Sequence, residues 1–191
     1  MTTAATAPAP VRIDRIHHVA YRCRSAKETV EWYVKHLDMN FVLAIAENEV
    51  PSTKAPDPYM HVFLDAGQGN VLAFFELPNS PPMGRDEATP AWVQHIAFKV
   101  DSLQTLLATK ERLMASGIEV VGPTDHTIFR SIYFFDPNGH RLELAVDVGT
   151  PEQYAMLDDV KWAMLEEWDR TRKAPRHAAW IVRAAAVSAT A

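Results

Sequence analysis

The chain has 191 residues, 48% of them hydrophobic, enough for one sizeable core or for two small modules. Its formal net charge of -5 argues against nucleic acid or an anionic membrane as partner, because both reward basic surfaces. The single cysteine, Cys23, permits no intrachain disulfide and suits a reducing cytoplasm, and no apolar run approaches the roughly 20 residues that span a bilayer.

The opening "MTTAATAPAPVR" lacks the apolar stretch of a signal peptide and reads as a short tail over 1–11. "IHHVAYR" at 16–22 then predicts a strand. A helix should follow, capped by Ser25 with Glu28 three residues on and carrying Val30, Tyr33, Val34 and Leu37 at helical spacing. Three strand-like runs come next, "FVLAIA", "MHVFLDA" and "NVLAFFEL", and they complete a module over 12–78. The Pro-rich stretch "PNSPPMGRDEATP" predicts a linker over 79–91.

"VQHIAFK" at 93–99 repeats the opening strand, with His95 in the place of His18. A second helix is expected behind it, with Leu103, Leu106, Leu107 and Leu113 on one stripe and Gly117 at its stop. "IEVVGP", "RSIYFFD" and "HRLELAV", the last two joined by the turn "DPNG", close a second module over 92–148. The fold class is therefore α+β: two βαβββ modules forming a curved mixed sheet around a shared site, the product of a duplication. "TPEQYAMLDDVKWAMLEEWDRT" predicts a helix from Thr150–Pro151 within a C-terminal segment over 149–191, either covering the pocket or packing on another subunit.

Strand residues alternate faces, so His18 shares its side with Ala20 and Arg22, and His95 shares its side with Ala97 and Lys99. The bulkier alternate residues can pack on the helix, which turns both histidines toward the concave side. The last strand of each module carries one glutamate, Glu76 and Glu143, and ionised carboxylates are expensive to bury unless paired or metal-bound. Either the two face water as edge-strand residues, or His18, Glu76, His95 and Glu143 converge on a divalent metal such as Fe(II), Mn, Zn or Ni. Phe74 and Tyr133 offer aromatic walls for a ring, and His61, alternating with Phe63, is a further pocket candidate. His17, His140 and Cys23 are assigned no function.

The duplicated βαβββ order, the "IHHVAYR" and "QHIAFKV" openings and the "DPNGHRLEL" ending resemble the vicinal oxygen chelate superfamily over roughly 12–148. Within it the chain looks most like the small extradiol enzymes of the biphenyl-2,3-diol 1,2-dioxygenase type. That resemblance implies a metal, Fe(II) above all, held by His18, His95 and Glu143, with Tyr133 contacting substrate and His126 in the polar segment before it. It also implies an aromatic diol and O2 as the partners, a cytoplasmic enzyme and a homo-oligomer, with a dimer favoured. The family's proton-shuttling histidine falls near Asn70, where this chain has none, which leaves His126 and His61 as candidates for that role. Three protein ligands leave three positions open on a six-coordinate metal, enough for both diol oxygens and O2. If Glu76 also binds, a glyoxalase I-like isomerase or epimerase working through an enediolate is the alternative. A non-catalytic small-molecule-binding member of the superfamily is the third reading.

Overall fold

We describe a computed structural model of the chain over residues 12–175. The tail expected at 1–11 and the end of the expected C-terminal segment, 176–191, lie outside the described residues. The chain divides into two compact units between Gly84 and Arg85, inside the Pro-rich 79–91 segment.

In the first unit, β1 (Val19–Cys23) leads into α1 (Ala26–Leu37), and β2 (Asn40–Glu47), β3 (Tyr59–Asp65) and β4 (Val71–Glu76) follow. They form a four-stranded sheet in the order β1-β4-β3-β2, in which β1 runs parallel to β4 and the other pairs are antiparallel. The Ser25 side chain accepts from the Glu28 N–H at the start of α1, a cap worth about 1 kcal/mol. The buried stripe of α1 is Ala26, Thr29, Tyr33 and His36, and Val34 is 42% exposed. The stripe is thus rotated by part of a turn from the expected one, because Tyr33 sits on Phe74 of β4 (ring centroids 5.2 Å apart) and that large contact sets the helix phase.

The second unit repeats the plan with β5 (Ile96–Lys99), α2 (Leu103–Ala115), β6 (Val121–Asp125), β7 (Phe129–Phe135) and β8 (Arg141–Asp147). Its sheet order, β5-β8-β7-β6, is the same, with β5 parallel to β8. Leu106 and Leu113 of α2 are fully buried, each worth about 1.5–3 kcal/mol, while Leu107 is 40% exposed and lies off the expected stripe.

The strand expected at "IEVVGP" starts three residues later than its apolar run. Ile118 is spent on the helix stop, its N–H donating to Leu113 O, so β6 begins at Val121 and continues through Pro123 to Asp125. Gly122 sits at φ 106° in the register shift of this strand, and a Cβ there would lie 2.5 Å from Ser131 O, so no other residue fits. The "DPNG" turn forms as expected. The Asp136 carboxylate accepts the Asn138 and His140 N–H groups at 2.9 and 2.8 Å, and Gly139 takes φ 89°.

The C-terminal helix, α3 (Pro151–Thr171), starts with a capping box between Thr150 and Gln153 and Pro151 in its first turn. Tyr154 ties it to the second unit by donating to Ile128 O at 2.9 Å. None of its side chains is buried, and Trp162 is 71% exposed. Among the described residues no helix is long and apolar enough to cross a membrane.

Candidate metal centre

Each sheet has a helix-covered face and an open face, and the strand registers assign every residue to one of them. In the first unit Val19 pairs Leu72, Tyr21 pairs Phe74 and Cys23 pairs Glu76, which fixes these as the helix side. The open side holds Ala20, Arg22, Ala73 and Phe75, with His61 and Phe63 from β3. His18, immediately before β1, joins that side. Its ring lies 5.4 Å from Phe63 and 5.8 Å from His61, and its Nδ1 is 2.7 Å from His17 Nδ1.

His61 is stacked on Phe75, with ring centroids 3.6 Å apart. It is 8% exposed, and its Nε2 is buried with no hydrogen-bond partner. Burial, and then the neighbouring His18, lower its pKa, so the ring is neutral at pH 7. The first unit therefore presents an aromatic wall around two imidazoles. Asn70 closes the loop before β4, donating from its side chain to Gly67 O at 2.8 Å.

Glu76 is not on that wall. It shares the helix face with Phe74, and its Oε2 accepts the Ala26 N–H at 2.6 Å. A carboxylate at a helix N-terminus is a favourable structural arrangement, since it satisfies a free donor and meets the positive end of the helix dipole. The possible fourth ligand thus has a structural task on the other side of the sheet. Phe74 likewise belongs to the core, fully buried against Tyr33, and is no wall for a ring substrate.

In the second unit Ala97 pairs Glu143, so Glu143 lies on the open face with His95. His95 Nε2 and Glu143 Oε2 are 2.9 Å apart. The opposite ring nitrogen, Nδ1, is 3.0 Å from Val93 O, where it must donate its hydrogen. Nε2 then turns a lone pair toward a carboxylate oxygen, a contact that holds only with a proton or a cation between them. Two neighbouring ligands on a metal at bond lengths of about 2.1 Å stand roughly 3 Å apart, so this donor pair fits a divalent ion.

Around that pair lie residues the sequence named and some it did not. Ser131 Oγ, fully buried, donates a short hydrogen bond to Glu143 Oε1. Tyr133, opposite Glu143 in the ladder, bonds through its OH to His126 Nε2 at 2.8 Å. Burial, and then the charge of Glu143, raise the Tyr133 pKa, so the phenol keeps its proton at neutral pH, and the imidazole tautomer decides which of Tyr133 and His126 donates. Arg141 lays its guanidinium over the Tyr133 ring, 4.3 Å from the centroid. Ser131 and Arg141 were each within reach of a period-two reading, standing two residues before Tyr133 and Glu143. Among the described residues no three His, Cys, Asp or Glu side chains gather closely enough to hold a metal.

Comparison with known proteins supplies the family. Residues 15–144 match the model of the Glyoxalase/Bleomycin resistance protein/Dioxygenase superfamily. Biphenyl-2,3-diol 1,2-dioxygenase 3 of Rhodococcus globerulus is 29% identical over 142 residues, 73% of this chain and 67% of that protein. Two further dioxygenases that match are spanned over only 34% and 27% of their length. Metallothiol transferase FosB of Shouchella clausii is 32% identical over 133 residues, 63% of this chain and 88% of that protein. Among solved structures, a point mutant of the fosfomycin resistance protein FosX from Listeria monocytogenes, complexed with Mn(II) and 1S,2S-dihydroxypropylphosphonic acid, shares the fold. It superposes at a TM-score of 0.51 and 20% identity over 75% of this chain and 99% of that one. The repeated βαβββ plan and the match across both units make this chain a member of the glyoxalase/bleomycin resistance/dioxygenase superfamily.

Proposed function

We propose that the protein is a metal-dependent extradiol dioxygenase that opens an aromatic diol with O2, with Fe(II) as its metal. The observation that carries this reading is the His95–Glu143 pair, 2.9 Å apart, a spacing that a proton or a metal ion between the two atoms would hold, with the Tyr133–His126 couple beside it. His95 and Glu143 would be two of its ligands. The metal, when bound, would supply coordination of the diol oxygens and activation of O2.

The chain's own residues then have definable tasks. Val93 O holds the His95 ring in the tautomer that leaves Nε2 free, and Ser131 fixes the Glu143 carboxylate. With His126 in the tautomer that leaves Nε2 unprotonated, Tyr133 donates to it and its own oxygen is free to accept from a diol hydroxyl. A proton leaving the diol can therefore pass through Tyr133 to His126, a relay worth typically about 10²–10⁴-fold in rate. His61, neutral and unpartnered at Nε2, is the second base candidate, and Phe63 and Phe75 offer flat apolar surface to a ring.

The isomerase alternative drew its support from Glu76. With that carboxylate on the Ala26 N–H, one acidic ligand remains, which leaves a divalent site net positive and suited to a diol anion.

The test is oxygen uptake by protein reconstituted anaerobically with Fe(II) and offered a panel of catechols that includes 2,3-dihydroxybiphenyl. Uptake matched by a yellow ring-opened product is expected. Metal-loaded protein that consumes no oxygen with any diol, but isomerises a glutathione hemithioacetal, would overturn the reading.

A further inference from the structure

Arg141 stands two residues before Glu143 on β8, on the same open face and about 7 Å along the strand from it. Its charge is not spent on a neighbour, unlike those of Lys99 and Arg130. Lys99, two residues past Ala97 on the same side, is paired with Asp147, and Arg130 on the helix side is paired with Asp125 at 3.3 Å. No carboxylate lies within 4 Å of Arg141 among the described residues, and its one hydrogen bond there is a long 3.5 Å contact to Ala91 O. Its Nε is buried with no partner at all.

Stacking on Tyr133 explains where the guanidinium sits but not what its donors do. A cation–π contact uses the flat face of the group, whereas its five N–H donors lie in the plane and point away from the ring. A buried donor without a partner is costly, and the planar fork matches a carboxylate in bidentate fashion. A second guanidinium, Arg85, also without a carboxylate among the described residues, lies 5.9 Å over Phe135, which pairs Arg141 in the ladder. On this rim of the open face neither guanidinium has a carboxylate within 4 Å among the described residues.

We infer that Arg141 binds a carboxylate carried by the substrate, so that the ring opened is an aromatic diol with an acidic side chain. The inference rests on the reading of the site given above for the diol, but not for the anion. Binding is read first on metal-free protein, where a carboxylate has no metal to reach. Isothermal titration with 3-phenylpropionate and with its neutral amide should show the acid bound about tenfold more tightly or better. Arg141→Met should erase that preference, and Arg141→Lys, which keeps the charge but not the fork, should retain part of it. Equal binding of acid and amide to the wild type, or a preference that survives Arg141→Met in folded protein, overturns the inference.

Turnover by Fe(II)-loaded protein separates the two ideas. Preferred cleavage of 3-(2,3-dihydroxyphenyl)propionate over 2,3-dihydroxybiphenyl supports both. Cleavage with no preference for the acid keeps the dioxygenase and discards the carboxylate. A preserved acid preference in binding without cleavage of either diol keeps the Arg141 site and discards the dioxygenase.

Discussion

The two units share a fold but not a chemistry, and superposing their registers residue on residue locates the difference. Val19 pairs Leu72 in the first unit as Ile96 pairs Leu142 in the second, so the position of Glu143 is held in the first unit by Ala73. By the same alignment Tyr133 corresponds to Phe63, Ser131 to His61, Arg141 to Val71, and Glu76 to the buried Val146. One open face has become an aromatic wall around His18, and the other a polar network built on His95 and Glu143. The two scaffolds are equivalent, and the carboxylate, the phenol and the guanidinium all stand on the second.

The largest expected effect comes from the polar side. His95→Ala removes the imidazole that faces Glu143, and the variant should lose its metal on dialysis and with it all ring cleavage; full metal content by elemental analysis would break the assignment. Tyr133→Phe deletes the hydroxyl bonded to His126, and since its counterpart in the other unit is already a phenylalanine, the fold should tolerate it. Its kcat should fall by about 10²-fold with metal content unchanged. An unchanged kcat would make the Tyr133–His126 bond a packing feature.

The helix side of the first unit should respond in stability alone. Glu76→Ala takes the acceptor from the Ala26 N–H and should cost about 1–2 kcal/mol of stability in denaturant titration, with no loss of oxygen uptake. The smallest effect concerns His61, whose pKa is lowered by burial. A base with a depressed folded pKa costs nothing above its ordinary value of about 6.5 and weakens the fold as pH falls below it, because the unfolded chain takes the proton first. Metal-free wild type should therefore lose stability below that pH, and His61→Phe should flatten the loss. Parallel pH curves for the two proteins would remove His61 from the account.

Much of this was legible in the residues. Ser25, Ser102 and Thr150 cap the helices, Gly117 and "DPNG" mark stops and turns, and local chemistry of that kind needs no tertiary partner. Alternation put His18, His95 and Glu143 on the open faces for the same reason. Glu76 could not be told apart from Glu143 in the sequence, because two glutamates on corresponding last strands look equivalent until the register with β1 and β5 is known, and register depends on partners distant in sequence. Helix phase escaped likewise: Val34 and Leu107 fit an apolar period, yet the Tyr33–Phe74 contact and the buried pair Leu106 and Leu113 decide which stripe faces the sheet. The task of Ser131 was hidden because a serine in an aromatic strand has no signature until its carboxylate lies across the ladder.

The most direct test of the division between the two units is a titration of Fe(II), and of Mn(II) as a redox-stable stand-in, into wild type, Glu143→Ala and Glu76→Ala under anaerobic conditions. The account predicts tight one-to-one binding by wild type and Glu76→Ala, and none by Glu143→Ala. Loss of the metal from Glu76→Ala in folded protein, or its retention by Glu143→Ala, would contradict it.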